Sequence, residues 1–332
     1  MPKPLFFPSL SMGSAISALA FPAPHLPAEH YEGELLSHPG YRSLTTARGE
    51  AIPAVLVKAG GGGGGRDGDG GAEHRGGGTA QAAGGWNGGG GAAAAAPVGL
   101  TILHAHGNAE DLSLGLADLS YMAWVTGCDV LGYEYVGYAT SRLAGGAPSE
   151  EGCLRSADAA WRHATEELRI APGRIVLSGR SIGTGPTVDL ASRDGPCASG
   201  GGGGGGGGSG GGGGSSGGAF AASPLDCAGV LLQSPIASGA RALTGGRALA
   251  FFAAGVDIFR SYAKVGRIAA PVAIAHGTDD DVVPCENGRQ LHALLRAPFA
   301  PLWMEGWGHN NMPAPEVMAF AKRFVDSLAA GR

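Results

Sequence analysis

The sequence predicts an α/β protein with a mostly parallel central sheet and helices on both faces. Three observations carry that prediction. Short apolar runs rich in Val, Ile and Leu alternate with helix-length amphipathic segments. Turns bearing Gly, Asn or Pro separate them. One run, Ile175 to Leu177, passes directly into the turn SGRSIGTG and then a helix, which places Ser181 at a sharp strand-to-helix corner between Gly179 and Gly183.

Taken in order, residues 1–40 are Pro- and Ala-rich and predict an irregular segment. YRSLTTA from Tyr41 and AIPAVLVKA from Ala51, joined by Arg48-Gly49-Glu50, predict a hairpin. VGLTILHA is the first parallel strand and ends in the loop HGNAED. Leu112, Leu114, Leu116, Leu119 and Met122 then suit an amphipathic helix that Cys128 closes, with Trp124 in its core face. DVLGYEYVGY from Asp129 forms the next strand and its exit, with Tyr133 and Tyr135 packing under the strand ends. Ser149 is the expected N-cap of a helix that runs past Trp161 to Arg169, and Pro172-Gly173 ends it. After the Ser181 corner and its helix come strands at AGVLLQSP and APVAIAHG, a helix over Glu286 to Leu295, a last strand at APLWMEG and a closing helix from Pro313 to Ala329.

Two glycine-rich tracts, at about 60–96 and 195–222, interrupt this pattern and hold a large share of the 63 glycines. No apolar residue recurs in them often enough to bury anything, so they are predicted to be disordered insertions in a single domain spanning 41–330. Each leads into the start of a parallel strand, which puts it at the sheet edge remote from the strand exits. The exits share one rim, and any chemistry is expected there.

A net charge of −5 and a pI near 6.0 give no basic field for nucleic acid. Cys128, Cys153, Cys197, Cys227 and Cys285 show no CxxC spacing and read as free thiols of a reducing compartment. Pro4 and Pro8 break the mildly apolar opening, and no run there is long enough to span a bilayer. A cytoplasmic location is expected, with peripheral membrane contact through Leu5, Phe6 and Phe7 as the lesser reading.

The rim loops supply what a serine nucleophile needs. A hydroxyl is weakly nucleophilic at neutral pH, so an imidazole must take its proton and a carboxylate must hold that imidazole's tautomer. Asp280, in HGTDDDVV, and His309, in EGWGHNN, each follow a predicted strand, and the order Ser, Asp, His is that of α/β hydrolases. Asp279 and Asp281 read as solvated caps. An oxyanion needs backbone N–H donors aimed at one point, and Ile182 and Asn108 are the candidates, Gly107 allowing the turn before Asn108, with the Ala109 N–H as the alternative second donor. A rival reading takes His104 and His106 as an HxH metal pair, but no third or fourth ligand is identifiable. The reaction as read requires no cofactor.

HGNAEDL, YEYVGYATS, APSEEGCLRSADAAW, SGRSIGTGPTVDLASR, QSPIASG, HGTDDDVV and PLWMEGWGHNN, in this order, resemble the alpha/beta-hydrolase-domain-containing protein 17 family. The resemblance runs from Tyr41 to Ala329 outside the two glycine tracts. The connection from Ile236 to Arg267 is too short for a large cap domain. The resemblance implies an α/β-hydrolase fold and a serine hydrolase that removes palmitoyl groups from protein cysteines. It also implies Ser181 as nucleophile, Asp280 as acid and His309 as base. The expected partner is an acylated protein or an acyl-ester substrate; the alternatives are a carboxylesterase or peptidase acting on small substrates and a non-catalytic binding domain of the same fold. The family is held at membranes by acylated cysteines near its N-terminus, whereas the first cysteine here is Cys128. Arg180, Val136, Ala139 and Trp307 also depart from the family pattern, and Arg180 stands beside the nucleophile. The segment AFFAAGVDIF is expected to line an acyl groove.

Overall fold

Side chains alternate across a strand, so consecutive apolar residues of a doubly covered sheet feed two separate cores. The computed structural model, which describes residues 21–60, 95, 97–193, 225–242 and 257–331, shows that division directly. Ile102, Val130, Val176, Leu231 and Ala273 join one core; their neighbours Leu103, Leu131, Leu177, Leu232 and Ile274 join the other.

Those residues belong to an eight-stranded sheet of order β1-β2-β4-β3-β5-β6-β7-β8. The hairpin β1 (Tyr41–Thr45) and β2 (Ala51–Val57) is antiparallel and joins β4 at one edge. β3 (Thr101–Ala105), β4 (Asp129–Tyr133), β5 (Ile175–Arg180), β6 (Gly229–Gln233), β7 (Val272–Gly277) and β8 (Leu302–Met304) are all parallel. The helices are α1 (Ala28–Tyr31), α2 (Leu116–Thr126), α3 (Ala139–Leu143), α4 (Glu150–Arg162), α5 (Thr184–Ala191), α6 (Gly239–Ala242), α7 (Glu286–Ala293) and α8 (Ala314–Ala330). Leu119 and Met122 of α2 and Phe320 and Phe324 of α8 fill the first core; Cys153 and Trp161 of α4 and Val188 of α5 fill the second. This is the mostly parallel sheet with helices on both faces that the strand and helix pattern predicts. Ser149 caps α4, its side chain accepting from the Gly152 N–H at 3.0 Å.

Four local expectations need correction. The segment before Tyr41 is not wholly irregular: Ala28–Tyr31 and the following turn Glu32–Leu36 are helical, because Tyr31 and Leu35 lie four apart and are both buried. The Tyr31 hydroxyl also donates to the buried Asp111 carboxylate at 3.0 Å. Gly127, not Cys128, closes α2, since the chain turns there through a left-handed residue with φ 70°. That helix starts only at Leu116, so Leu112 is buried in the preceding turns while Leu114 is exposed, and Trp124 is half-buried and stacks on Tyr121 rather than filling the core.

Cys128, Cys153, Cys227 and Cys285 are free and buried. No described helix is long and apolar enough to cross a membrane. The glycine tracts, Leu5 to Phe7, Cys197 and residues 250–256 of the expected acyl groove lie outside the described residues. What flanks the tracts does lie at the edge where the parallel strands begin: Val98 N–H bonds to Gly127 O at 2.9 Å just before β3, and Leu225 N–H bonds to Arg193 O at 2.9 Å just before β6.

Candidate active site

The site grows from the corner at the end of β5. Ser181 has φ 52°, a left-handed backbone that a non-glycine residue adopts only under constraint. The constraint is the close approach on either side. A side chain at Gly179 would come within 2.6 Å of Gly183 O and Thr187 Oγ1, and one at Gly183 would run into the Ala105 and His106 carbonyls of the neighbouring strand exit. The corner is also bonded from below, Thr184 Oγ1 donating to Ser181 O at 2.6 Å.

The exits of β7 and β8 bring the other two predicted residues to this serine. His309 Nδ1 lies 2.7 Å from Asp280 Oδ2, and Nε2 lies 3.0 Å from Ser181 Oγ. All three side chains are buried. With the carboxylate on Nδ1, that nitrogen carries the proton, Nε2 presents its lone pair, and the Ser181 hydroxyl donates to it. Burial alone would raise the Asp280 pKa. Hydrogen bonds from His276, His309 and the Val283 N–H outweigh it and hold the carboxyl well below the usual carboxylate range. Asp279 and Asp281 are exposed, as expected of solvated caps.

His276 was not singled out from the sequence. It is fully buried on β7, with Nε2 at 2.9 Å from Val283 O and 3.2 Å from Asp280 Oδ2. Two acceptors face that nitrogen, so it carries the proton; Nδ1, packed over Gly288, has no hydrogen-bond partner among the described residues. His276 therefore helps to hold Asp280 through Oδ2, the same oxygen that faces His309. Its place at the start of HGTDDD was the only sequence signal.

Asn108 and Ile182 line, with Ser181, a cavity of about 90 Å³ whose other walls are Ile236, Gly239, Ala242, Ile258, Phe259, Val282 and Val283. A network beneath orients the 106–108 turn. Glu134 is wholly buried and accepts from His106 Nε2 at 2.7 Å, from Leu112 N–H at 2.8 Å and from Tyr135 N–H at 2.8 Å. His106 Nδ1 donates to Gly107 O at 2.8 Å, and the Tyr135 hydroxyl donates to His106 O at 2.7 Å. In a trans peptide the N–H points opposite to the C=O, so the Gly107 carbonyl held by His106 sets the direction of the Asn108 N–H. The Tyr138 hydroxyl holds the Asn108 side chain, donating to Oδ1 at 2.6 Å.

Both nitrogens of His106 face acceptors, so both carry protons and the ring is an imidazolium paired with the Glu134 carboxylate. Burial lowers the His106 pKa, but the charge and hydrogen bond of Glu134 outweigh it and the net shift is upward. His104 is instead pushed down to about 3, by burial first and then by the charges of His106 and Arg180. With neither His106 nitrogen offering a lone pair, the HxH pair does not form a metal site, and no group of three or more His, Cys, Asp or Glu among the described residues could hold one.

Arg180 turns out to be tied to its surroundings. Its guanidinium pairs with the Glu110 carboxylate and donates to Asn310 Oδ1 at 2.9 Å. It also walls a second cavity, of about 250 Å³, together with Glu110, His104, Gln233, His309 and Met318.

Comparison with solved structures agrees with this architecture. An esterase from Thermogutta terrifontis, Est2 with propionate bound, aligns with a TM-score of 0.52 at 16% identity over 87% of this chain and 95% of that one. The esterase domain of a Rhodothermus marinus protein aligns with a TM-score of 0.52 at 13% identity, covering 87% and 97% of the two chains. A puromycin-hydrolysing peptidase of Mycobacterium tuberculosis gives 0.51 at 17% identity, covering 90% of this chain and 39% of the other. The fold of this chain is that of the α/β hydrolases.

No family model matches it. Among curated proteins its relatives are alpha/beta hydrolase domain-containing proteins 17, which bears out the resemblance drawn from its motifs. The 17C protein of Mus musculus is 33% identical over 213 residues, 64% of this chain and 55% of the relative. The 17C protein of Homo sapiens is also 33% identical, over 64% and 53% of the two chains, and the 17B protein of Xenopus laevis is 31% identical over 64% and 61%. The chain thus spans little more than half the length of the first curated relatives it matches.

Proposed function

We propose that this protein is a serine hydrolase that cleaves acyl thioesters or esters through an acyl-enzyme, and that its substrates are acylated proteins. The observation that carries the reading is the hydrogen-bonded chain from Asp280 through His309 to Ser181 at a strained strand-to-helix corner. Ser181 Oγ attacks the acyl carbonyl while His309 Nε2 takes its proton, and Asp280 stabilises the imidazolium that results. The oxyanion receives the N–H groups of Ile182 and Asn108. His309 then protonates the leaving thiol or alcohol, a water takes its place, and the same imidazole deprotonates that water as it attacks the acyl carbonyl. The proton passes to Ser181 Oγ as the acyl–serine bond breaks and the acid leaves. An acyl group suits the cavity beside Ser181, which is walled by Ile236, Ile258, Phe259 and Val282.

The test is a fluorophosphonate probe. It labels the wild-type chain, and Ser181→Ala abolishes the label; an unlabelled wild type points instead to a non-catalytic domain of this fold. The acyl-protein substrate is supported by the resemblance to the 17 family. The modest volume of the cavity beside the serine, about 90 Å³, favours a second reading, a carboxylesterase for short oxygen esters. Turnover of acyl-cysteine peptides against matching oxygen esters, across chain lengths, separates the two. Faster cleavage of short oxygen esters would remove the depalmitoylase reading.

A further inference from the structure

Three loops must hold register for the chemistry proposed above: the Ser181 corner, the 107–110 turn that carries Asn108, and the 308–311 turn that carries His309. One side chain reaches all of them. Arg180 is the last residue of β5 and adjoins Ser181 in the chain. Its Nη1 pairs with the Glu110 carboxylate, and its Nη2 donates to Asn310 Oδ1 at 2.9 Å. Glu110 also accepts from the Gly107 N–H at 3.3 Å, and a Cβ on Gly107 would lie 3.3 Å from the same guanidinium nitrogen, so Arg180 packs directly on the turn before Asn108. Asn310 follows His309 in the chain.

A surface ion pair in open solvent contributes little to stability. This pair is not in that position: the Arg180 side chain is 22% exposed and Glu110 33%. A planar guanidinium has five donors in a fixed fork and can serve two partners in different directions, which a lysine ammonium on a flexible stem does less well. Its value here is therefore geometric. Displacing a reacting group by about 1 Å can cost on the order of a hundredfold in rate.

We propose that Arg180 is a positioning residue, a brace that fixes the 107–110 and 308–311 turns against the nucleophile corner. The proposal rests on the serine-hydrolase reading. The experiment measures kcat and KM on p-nitrophenyl acetate, fluorophosphonate labelling rates and thermal midpoints for the full chain and for Arg180→Met, Arg180→Lys, Glu110→Gln and Asn310→Ala. Arg180→Met should lower kcat by about 10- to 100-fold with KM changed by less than about threefold. Arg180→Lys should recover part of that loss. Asn310→Ala and Glu110→Gln should each lower kcat by a smaller factor, and Asn310→Ala should have no further effect once Arg180 is Met, because the contact is already gone.

Wild-type kcat in Arg180→Met, or additive losses in the double variant, would overturn the brace. Should Arg180→Met not fold, Asn310→Ala and Glu110→Gln lie at the periphery and decide the matter: wild-type kcat in both overturns it. An unlabelled wild-type chain sinks the hydrolase reading, whereas a labelled wild type with undiminished variants sinks the brace alone.

Discussion

Two buried carboxylates, Asp280 and Glu134, face histidines, and the two sites respond to pH with opposite signs. Asp280 has its pKa depressed in the folded state, so it contributes stability that is present above the unfolded value of about 3.9 and is lost as pH falls below it. His106 has its pKa raised, so its contribution is complete below about 6.5 and is lost as pH rises through the folded value. Chemical denaturation midpoints measured from pH 3 to 9 should therefore pass through a plateau, fall on the acid side and fall again on the alkaline side. In His106→Gln the alkaline fall should disappear while the acid fall remains. Glu134→Ala leaves an uncompensated buried imidazolium and should cost about 3–5 kcal/mol, read from the same denaturation curves. For the proposed chemistry, Asp280→Asn should lower kcat by roughly 10³–10⁴ with a folded protein, since the amide would no longer select the tautomer of His309 that the proposal needs to accept the serine proton.

The Ser181 corner works as a unit because β5 and α5 meet with no space between them and β3. Gly183 has an ordinary helical backbone, so its small size serves the approach of the Ala105 and His106 carbonyls, whereas the unusual φ falls on Ser181. Gly183→Ala should thus destabilise by about 1–3 kcal/mol through overpacking and slow probe labelling by shifting the corner, both measurable in one preparation. The GxSxG motif alone fits a plain strand-to-helix turn equally well; this element was legible in the sequence because the motif follows an apolar run and Asp280 and His309 each follow a later strand. The helical stretch Ala28–Leu36 was not: one pair, Tyr31 and Leu35, is too short a pattern to stand out among prolines, and its partner Asp111 lies far along the chain. The misjudged start of α2 has a similar cause. Leu112 and Leu114 extend the leucine pattern backward, yet the backbone there is taken up by the turn that carries Leu112 N–H to Glu134.

At the scale of the molecule, the described flanks of both glycine tracts lie at the strand starts, and the candidate site lies at the strand exits. The Arg193–Leu225 hydrogen bond closes the base of the second tract. Replacing residues 194–224 by a short turn should leave probe labelling unchanged and raise the thermal midpoint slightly, since each halving of a closed loop recovers about 0.6 kcal/mol of chain entropy. Loss of labelling would mean that the tract reaches the site.

The sequence by itself determined the parallel sheet, the place of Ser181, Asp280 and His309 at its strand exits, and the family resemblance, because strand periodicity and residue order along the chain are local properties. Tertiary structure alone decided that His276 supports Asp280, that His106 is an imidazolium on Glu134 rather than a metal ligand, and that Arg180 reaches Glu110 and Asn310. Those roles depend on which side chains meet across strands far apart in the chain, and on burial that removes water as a competing partner.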